Sequence, residues 1–288
     1  MKIEDIFKPK CKHRHTERTH PNCFRNGQPI AEGEESPRIA KVLVFDVETL
    51  PLLYYGWNVW NENIYPQQIV KDWCILSYSA KWMGDNRIIS DILTPKEAIT
   101  RDDKRLVTGF WNLLEDADVV VTHNGKRFDI KKLNTRFWKN GLHRPSSYKV
   151  IDTLTAAKSV FGLTYNKLDF IAKFIGAQEK LETEFELWAA CDRGEDSALK
   201  YMREYNEQDA VIQEKIYLEM REWIPNHPDL GIYEKLEGVC PVCLSKSIKQ
   251  IGLYTTNKKQ YPEHRCSDCG SVWHDTKQLK EKKENGTS

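Results

Sequence analysis

The stretch Lys41-Val-Leu-Val-Phe-Asp46-Val-Glu48-Thr49-Leu50 constrains this chain more than any other. Four of its first five residues are apolar, and β-branched and aromatic side chains dominate, so it reads as a buried strand. Side chains two apart on a strand share a face, which makes Asp46 and Glu48 project together from the end of a sheet. Two adjacent, partly buried carboxylates are costly unless cations neutralise them, and an all-oxygen pair suits Mg²⁺ or Mn²⁺ better than zinc. The strand therefore asks for more carboxylates from elsewhere in the chain. Taken alone, an Asp-x-Glu is more often a strand running out into a solvated acidic turn.

The 288 residues hold one domain with appendages, or two modest ones. A hydrophobic content of 40% with nine Trp is enough for a real core. No apolar run has the length of a membrane span, and the basic, His-rich N-terminus has no apolar targeting segment, so the expected location is the cytoplasm. The net charge of +1 argues neither for nor against nucleic acid, since an acidic metal site offsets a basic groove. Six of the eight Cys sit in the two ends of the chain, in pairs that look like metal ligands and not like a disulfide framework.

Three segments follow from the pattern. Residues 1–38 are a Cys/His-rich segment and linker, in which Cys11, His13, His20 and Cys23 could supply a tetrahedral zinc with His15 to spare; a basic tail lying along nucleic acid fits the same residues. Residues 39–225 read as α/β. After the first strand come strand-like runs at 73–82 and 87–93, a helical pattern over 106–114, a second buried strand at 118–122 and a fifth strand at 148–153. Helical segments then continue to about Trp223. The order predicts a mixed five-stranded sheet with helices packed against it. Residues 226–288 carry Cys240-Pro-Val-Cys243 and Cys266-Ser-Asp-Cys269, separated by 22 residues with β-prone residues between them, the spacing of a zinc ribbon. With little apolar content of its own, this segment would draw most of its folding energy from zinc.

Two further stretches supply carboxylates. His123-Asn124-Gly125-Lys126-Arg127-Phe128-Asp129 follows the second buried strand, turns at Asn-Gly and sets Asp129 at the start of a helix. Tyr205 and Asp209 lie four apart in a helical stretch and share one face of it. Taken singly, Asp129 is a helix cap, Tyr205 a core aromatic and Asp209 a solvated charge. In combination the three stretches resemble the motifs of the DEDD superfamily of 3′ to 5′ exonucleases. Asp46 and Glu48 match Phe-Asp-x-Glu-Thr, residues 124–129 match the second motif, and Tyr205-x-x-x-Asp209 matches the third in its tyrosine (DEDDy) form. The nearest similarity is to exonucleases, often encoded by phages, that are related to the proofreading domain of B-family DNA polymerases. It covers about residues 40–222, leaving out both Cys-rich ends.

The resemblance implies a ribonuclease H-like fold and phosphodiester hydrolysis by two Mg²⁺ or Mn²⁺ ions, which activate water, neutralise the phosphoryl group and stabilise the leaving alkoxide. Asp46 would bridge the ions, Glu48 and Asp209 would complete the water-activating site, and Asp129 would help hold the second ion. Tyr205 would orient the water; a tyrosine is normally protonated near neutral pH, which speaks against its taking the proton. Thr49 would meet the 3′-hydroxyl and Leu50 would wedge against the terminal base. Asn124 and Phe128 would line the other side, although Phe128 also fits a core position. Lys126 and Arg127 fit phosphate contacts and solvated turn charges equally. Tyr54, Tyr55, Trp57 and Trp60 fit base stacking, and core or subunit packing better still. His123 sits on the wrong motif for a general base and reads as structural, and Asp152 reads as a helix cap.

The expected activity is release of nucleoside 5′-monophosphates from the 3′ end of DNA, single-stranded by preference, with proofreading for a separate DNA polymerase as one setting and the host cytoplasm as the place if the chain is phage-encoded. Two alternatives remain: an RNA 3′ to 5′ exonuclease, because ribonuclease D-like enzymes share the tyrosine motif, and a zinc-ribbon nucleic-acid-binding or recruitment protein. The clustered carboxylates count against the second, since a pure binder gains nothing from negative charge where a phosphate must sit.

Overall fold

The computed structural model describes residues 40–58, 60, 63–177 and 181–276, together with the backbone of a short strand pair at 24–25 and 28–29. Cys11, His13, His20 and Cys23 lie outside the described residues. The chain divides into two compact units, residues 1–219 and 220–288.

The first unit is built on a five-stranded sheet. Its strands are β1 (Val42–Leu50), β2 (Cys74–Trp82), β3 (Ile89–Ile92), β4 (Val119–Thr122) and β5 (Lys149–Asp152), in the order β3-β2-β1-β4-β5. β1, β2 and β3 form an antiparallel meander, while β4 and β5 run parallel to β1. Antiparallel strands can be joined by a tight turn, as β2 and β3 are, whereas each parallel strand needs a crossover, supplied by α1 (Pro95–Thr100) and α2 (Lys104–Asp116) before β4 and by α3 (Asp129–Lys139) before β5. This is the mixed, helix-flanked, ribonuclease H-like sheet expected from the sequence.

The core explains why these segments take these forms. Leu43, Phe45 and Val47 alternate along β1 and enter one core cluster, where Phe45 meets Phe110 edge to face with centroids 5.0 Å apart. α2 buries Leu106, Val107, Phe110 and Leu114, one helical stripe, against that face. α3 is pinned by a buried ion pair. Arg136 donates to Asp103 at 2.7 Å and to the Trp73 carbonyl at 3.3 Å, while Asp103 accepts from the Ile75 amide at 2.9 Å. Each charge thus has a partner where an unpaired one would cost several kcal/mol, roughly 3–5.

After α4 (Thr153–Val160), α5 (Leu168–Phe174) and α6 (Phe185–Asp192), the long helix α7 (Asp196–Met220) is fastened to the meander by polar pairs. Lys81 on β2 pairs with Glu214, Ser90 on β3 with Glu207, and Ser77 on β2 with Asn206 at 3.1 Å. Ser77 and Ser79, both fully buried, stand opposite Glu48 and Asp46 in the β1–β2 register. These small side chains add little bulk beside the two carboxylates. No helix among the described residues is long and apolar enough to cross a membrane.

The second unit holds a three-stranded antiparallel sheet, β6 (Ile248–Thr255), β7 (Gln260–Cys266) and β8 (Val272–His274), in that order. Its buried centre is Cys240, Val242 and Cys266, with Cys243, Cys269 and Trp273 packed against them.

Candidate active site and metal centre

The end of β1 is where the sheet becomes polar. Asp46 and Glu48 are half-buried on the face opposite Phe45 and Val47, and a bulge follows at once: Glu48 pairs with Ser77, but Thr49 pairs with Ile75. The extra residue is Leu76 on β2, and just past this shift Leu50 of β1 enters the core, fully buried. Leu50 therefore presents no surface to a base, in contrast to the wedge expected from the sequence; Thr49 stays half-buried.

Asp46, Glu48 and the buried Asp209 of α7 offer carboxylate oxygens that all lie within 4.8 Å of one another. Such a set fits a hard divalent cation, because oxygen donors of like charge this close are stabilised by a cation between them. Asn206, fully buried one turn before Asp209, donates to Asp46 at 2.7 Å and accepts from Ser77 at 3.1 Å. The sequence reading missed it. The available signal was a polar stripe, Asn206, Asp209 and Gln213, at i, i+3 and i+7 on one face of a helix. Tyr205 is buried, its ring edge-on to Trp188 at 6.2 Å.

Asp129 stands outside this group of three. It opens α3, buried, accepting from the Thr122 hydroxyl at 3.3 Å. Burial pushes its carboxyl up to about 7; hydrogen bonds from its own N–H and from Thr122 oppose this, and the nearby Asp152 charge adds to it.

The turn before Asp129 is tightly specified. Asn124 is left-handed (φ 69°), and a Cβ on Gly125 would stand 2.2 Å from the Thr122 hydroxyl oxygen, so only glycine fits. Asp152 organises the same turn, accepting from the amides of Asn124 and Lys126 at 3.1 Å and capping α4 (Thr153–Val160) through Thr155 at 3.0 Å. His123 bonds Thr153 at 2.9 Å and the Asn166 carbonyl at 2.9 Å, a structural placement. Lys126, Arg127 and Phe128 are exposed and Asn124 is half-buried.

With this geometry in place, the chain can be set beside known proteins. Residues 81–221 match the RNase_H_2 family, described as RNase_H superfamily. The matched stretch contains Asp129, Tyr205 and Asp209 and begins after Asp46 and Glu48. A family B DNA polymerase from the hyperthermophilic archaeon Pyrobaculum calidifontis is similar in structure at 18% identity and a TM-score of 0.47, over 69% of this chain and 26% of the polymerase. The chain thus corresponds to about a quarter of that protein's length. No curated protein matches in sequence.

In the second unit, Cys240, Cys243, Cys266 and Cys269 bring their sulfurs within 4.8 Å of one another. Two pairs, Cys240 with Cys269 and Cys243 with Cys266, stand 3.6 Å apart. A tetrahedron of thiolates with Zn–S near 2.3 Å has edges of about 3.8 Å, so the sulfurs fit that cation. The two Cys-x-x-Cys turns are built alike. Cys240 N–H bonds the Ser245 carbonyl and Cys266 N–H the Ser271 carbonyl, while Leu244 and Gly270, next after each pair, are left-handed. Burial pushes the Cys240 thiol up and Cys243 up to about 11; at Cys266 the Cys269 and Asp268 amides outweigh burial and hold it down to about 7.

Proposed function

We propose that this chain is a metal-dependent nuclease that removes nucleoside 5′-monophosphates from the 3′ end of single-stranded DNA. The reading is carried by three carboxylates from distant parts of the chain, Asp46 and Glu48 on β1 and Asp209 on α7, with oxygens within 4.8 Å of one another at the end of a ribonuclease H-like sheet.

Asp46, Glu48 and Asp209 would hold one Mg²⁺ or Mn²⁺, and Asp129 would contribute to a second. When bound, the cations make a water more acidic, neutralise charge on the phosphoryl group and stabilise the leaving oxygen. Asn206 holds one oxygen of Asp46 and so helps to fix its rotamer. Tyr205 orients the attacking water. Thr49, Asn124 and Phe128 line the terminal nucleotide, and the exposed Lys126 and Arg127 meet its phosphates. The four ribbon cysteines would hold one Zn²⁺ that supports the second unit's fold.

The test is product analysis after incubation with a single strand and either metal. Nucleoside 5′-monophosphates should appear, and Asp209→Ala should lower their release by more than about a hundredfold, beyond the loss typical of an outer-shell partner. Oligonucleotide products from internal cleavage would overturn the exonuclease reading, and faster release from RNA would reassign the substrate.

A further inference from the structure

A ribbon between β1 and β2 exposes aromatic surface for which the carboxylate site gives no reason. It leaves β1 directly after Leu50, pairs Leu53–Tyr54 with Ile69–Lys71, and returns at Cys74, the register partner of Leu50. On it Tyr55 is 78% exposed, Trp57 92%, Trp60 83% and Tyr65 63%. Those exposures exclude the core packing that the sequence favoured for Tyr55, Trp57 and Trp60. Clustered exposed rings of this size mark an interaction surface.

We propose that this ribbon is a stacking shelf for single-stranded nucleic acid, holding the bases behind the 3′-terminal nucleotide. The proposal rests on the exonuclease reading for which end of the strand is engaged. Position favours nucleic acid as the occupant. Tyr55 is five residues beyond the last residue of the carboxylate strand, at most about 17 Å along the chain, so the ribbon springs from the end of the sheet that carries the carboxylates. Composition agrees. Between Leu52 and Gln68 the aromatic rings are interleaved with Gly56, Asn58, Asn61, Asn63, Gln67 and Gln68, with Glu62 the one charged residue, so little negative charge opposes a phosphate backbone. Base stacking on such rings tolerates any sequence.

A cation stands between two further rings at the foot of the ribbon. Lys132 Nζ lies 3.7 Å from the centroid of the Trp73 ring, where the ribbon returns, and 5.6 Å from that of Phe128, beside Asp129. Phe128 is itself 41% exposed. Ring, ammonium and ring thus continue the shelf toward the carboxylates, and the ammonium supplies the charge for a passing phosphate.

The experiment compares wild type with Trp57→Ala/Trp60→Ala in the full-length chain, together with the matching pair of Phe substitutions. Hydrolysis of a dinucleotide, too short to reach the ribbon, should be unchanged. For a strand of about a dozen nucleotides KM should rise about 10- to 100-fold with kcat nearly constant, and the Phe pair should recover most of the loss. Tryptophan fluorescence titrated with the same strand in chelator reads binding without catalysis and should show the same loss of affinity. Equal KM and equal affinity in both proteins would overturn the shelf and leave the exonuclease standing. Strand binding that depends on the rings, with no hydrolysis by wild type, would sink the exonuclease and leave the shelf. If the Ala pair instead lowers the sedimenting mass at unchanged strand affinity, the rings bury against a second copy and the proposal is wrong.

Discussion

Asn206 holds Asp46 from one side and Ser77 from the other, so it sets the direction of a carboxylate without being charged itself. Replacing it with Ala should weaken the apparent affinity for Mg²⁺ or Mn²⁺ about 10- to 100-fold while maximal activity at saturating metal recovers, as expected of an outer-shell partner. A metal titration of the initial rate separates the two; an unchanged midpoint would remove Asn206 from the site. Asp129 makes a second prediction, on stability. Its carboxyl, raised by burial to about 7, binds more protons in the folded than in the unfolded state between the unfolded value near 4 and that point. Metal-free stability should therefore fall as pH rises across that window and level off above it. Asp129→Asn should melt above wild type at pH 8 in chelator, by the equivalent of a few kcal/mol at most, and the two should converge near pH 4. A variant less stable at pH 8 would show that the buried carboxylate is not strained.

Elements succeed or fail as units around these residues. The turn from β4 to α3 admits only Gly125, and Gly125→Ala would displace Thr122 and with it a hydrogen bond to Asp129. The expected cost is about 1–3 kcal/mol in thermal unfolding, with activity lost before the fold is. This turn was legible in the sequence, since Asn-Gly between a β-branched run and a helical stripe has few other uses. The five strands were legible for the same reason, through β-branched runs of the right length. The inward turn of Leu50 was not, because it accompanies a register shift whose extra residue, Leu76, lies on the neighbouring strand and leaves no local mark in β1. Asn206 was hidden differently: a buried neutral amide has no motif until its partners are known. The ribbon cysteines were readable from spacing alone. They should resist alkylation until a zinc chelator is added, whereas Cys74 and Cys191, each pushed up to about 12 by burial, should stay unmodified in the folded protein with or without it. Equal labelling of the four ribbon thiols before and after chelation would argue against bound zinc.

For the whole molecule, the two groups of candidate metal ligands fall in different units. Asp46, Glu48, Asp129, Tyr205 and Asp209 all belong to the unit of residues 1–219, and the four clustered cysteines to that of residues 220–288. On the proposed function, the carboxylates joined across β1 and α7 hold the cations with which this chain trims a strand from its 3′ end. A time course on a single strand labelled at its 5′ end, with Mg²⁺ or Mn²⁺, compares wild type with Asp46→Ala most directly. Wild type should give a ladder that shortens step by step from the 3′ end, and the variant should leave the strand intact. A ladder that persists in Asp46→Ala, or a strand that never shortens with either metal, would contradict that function.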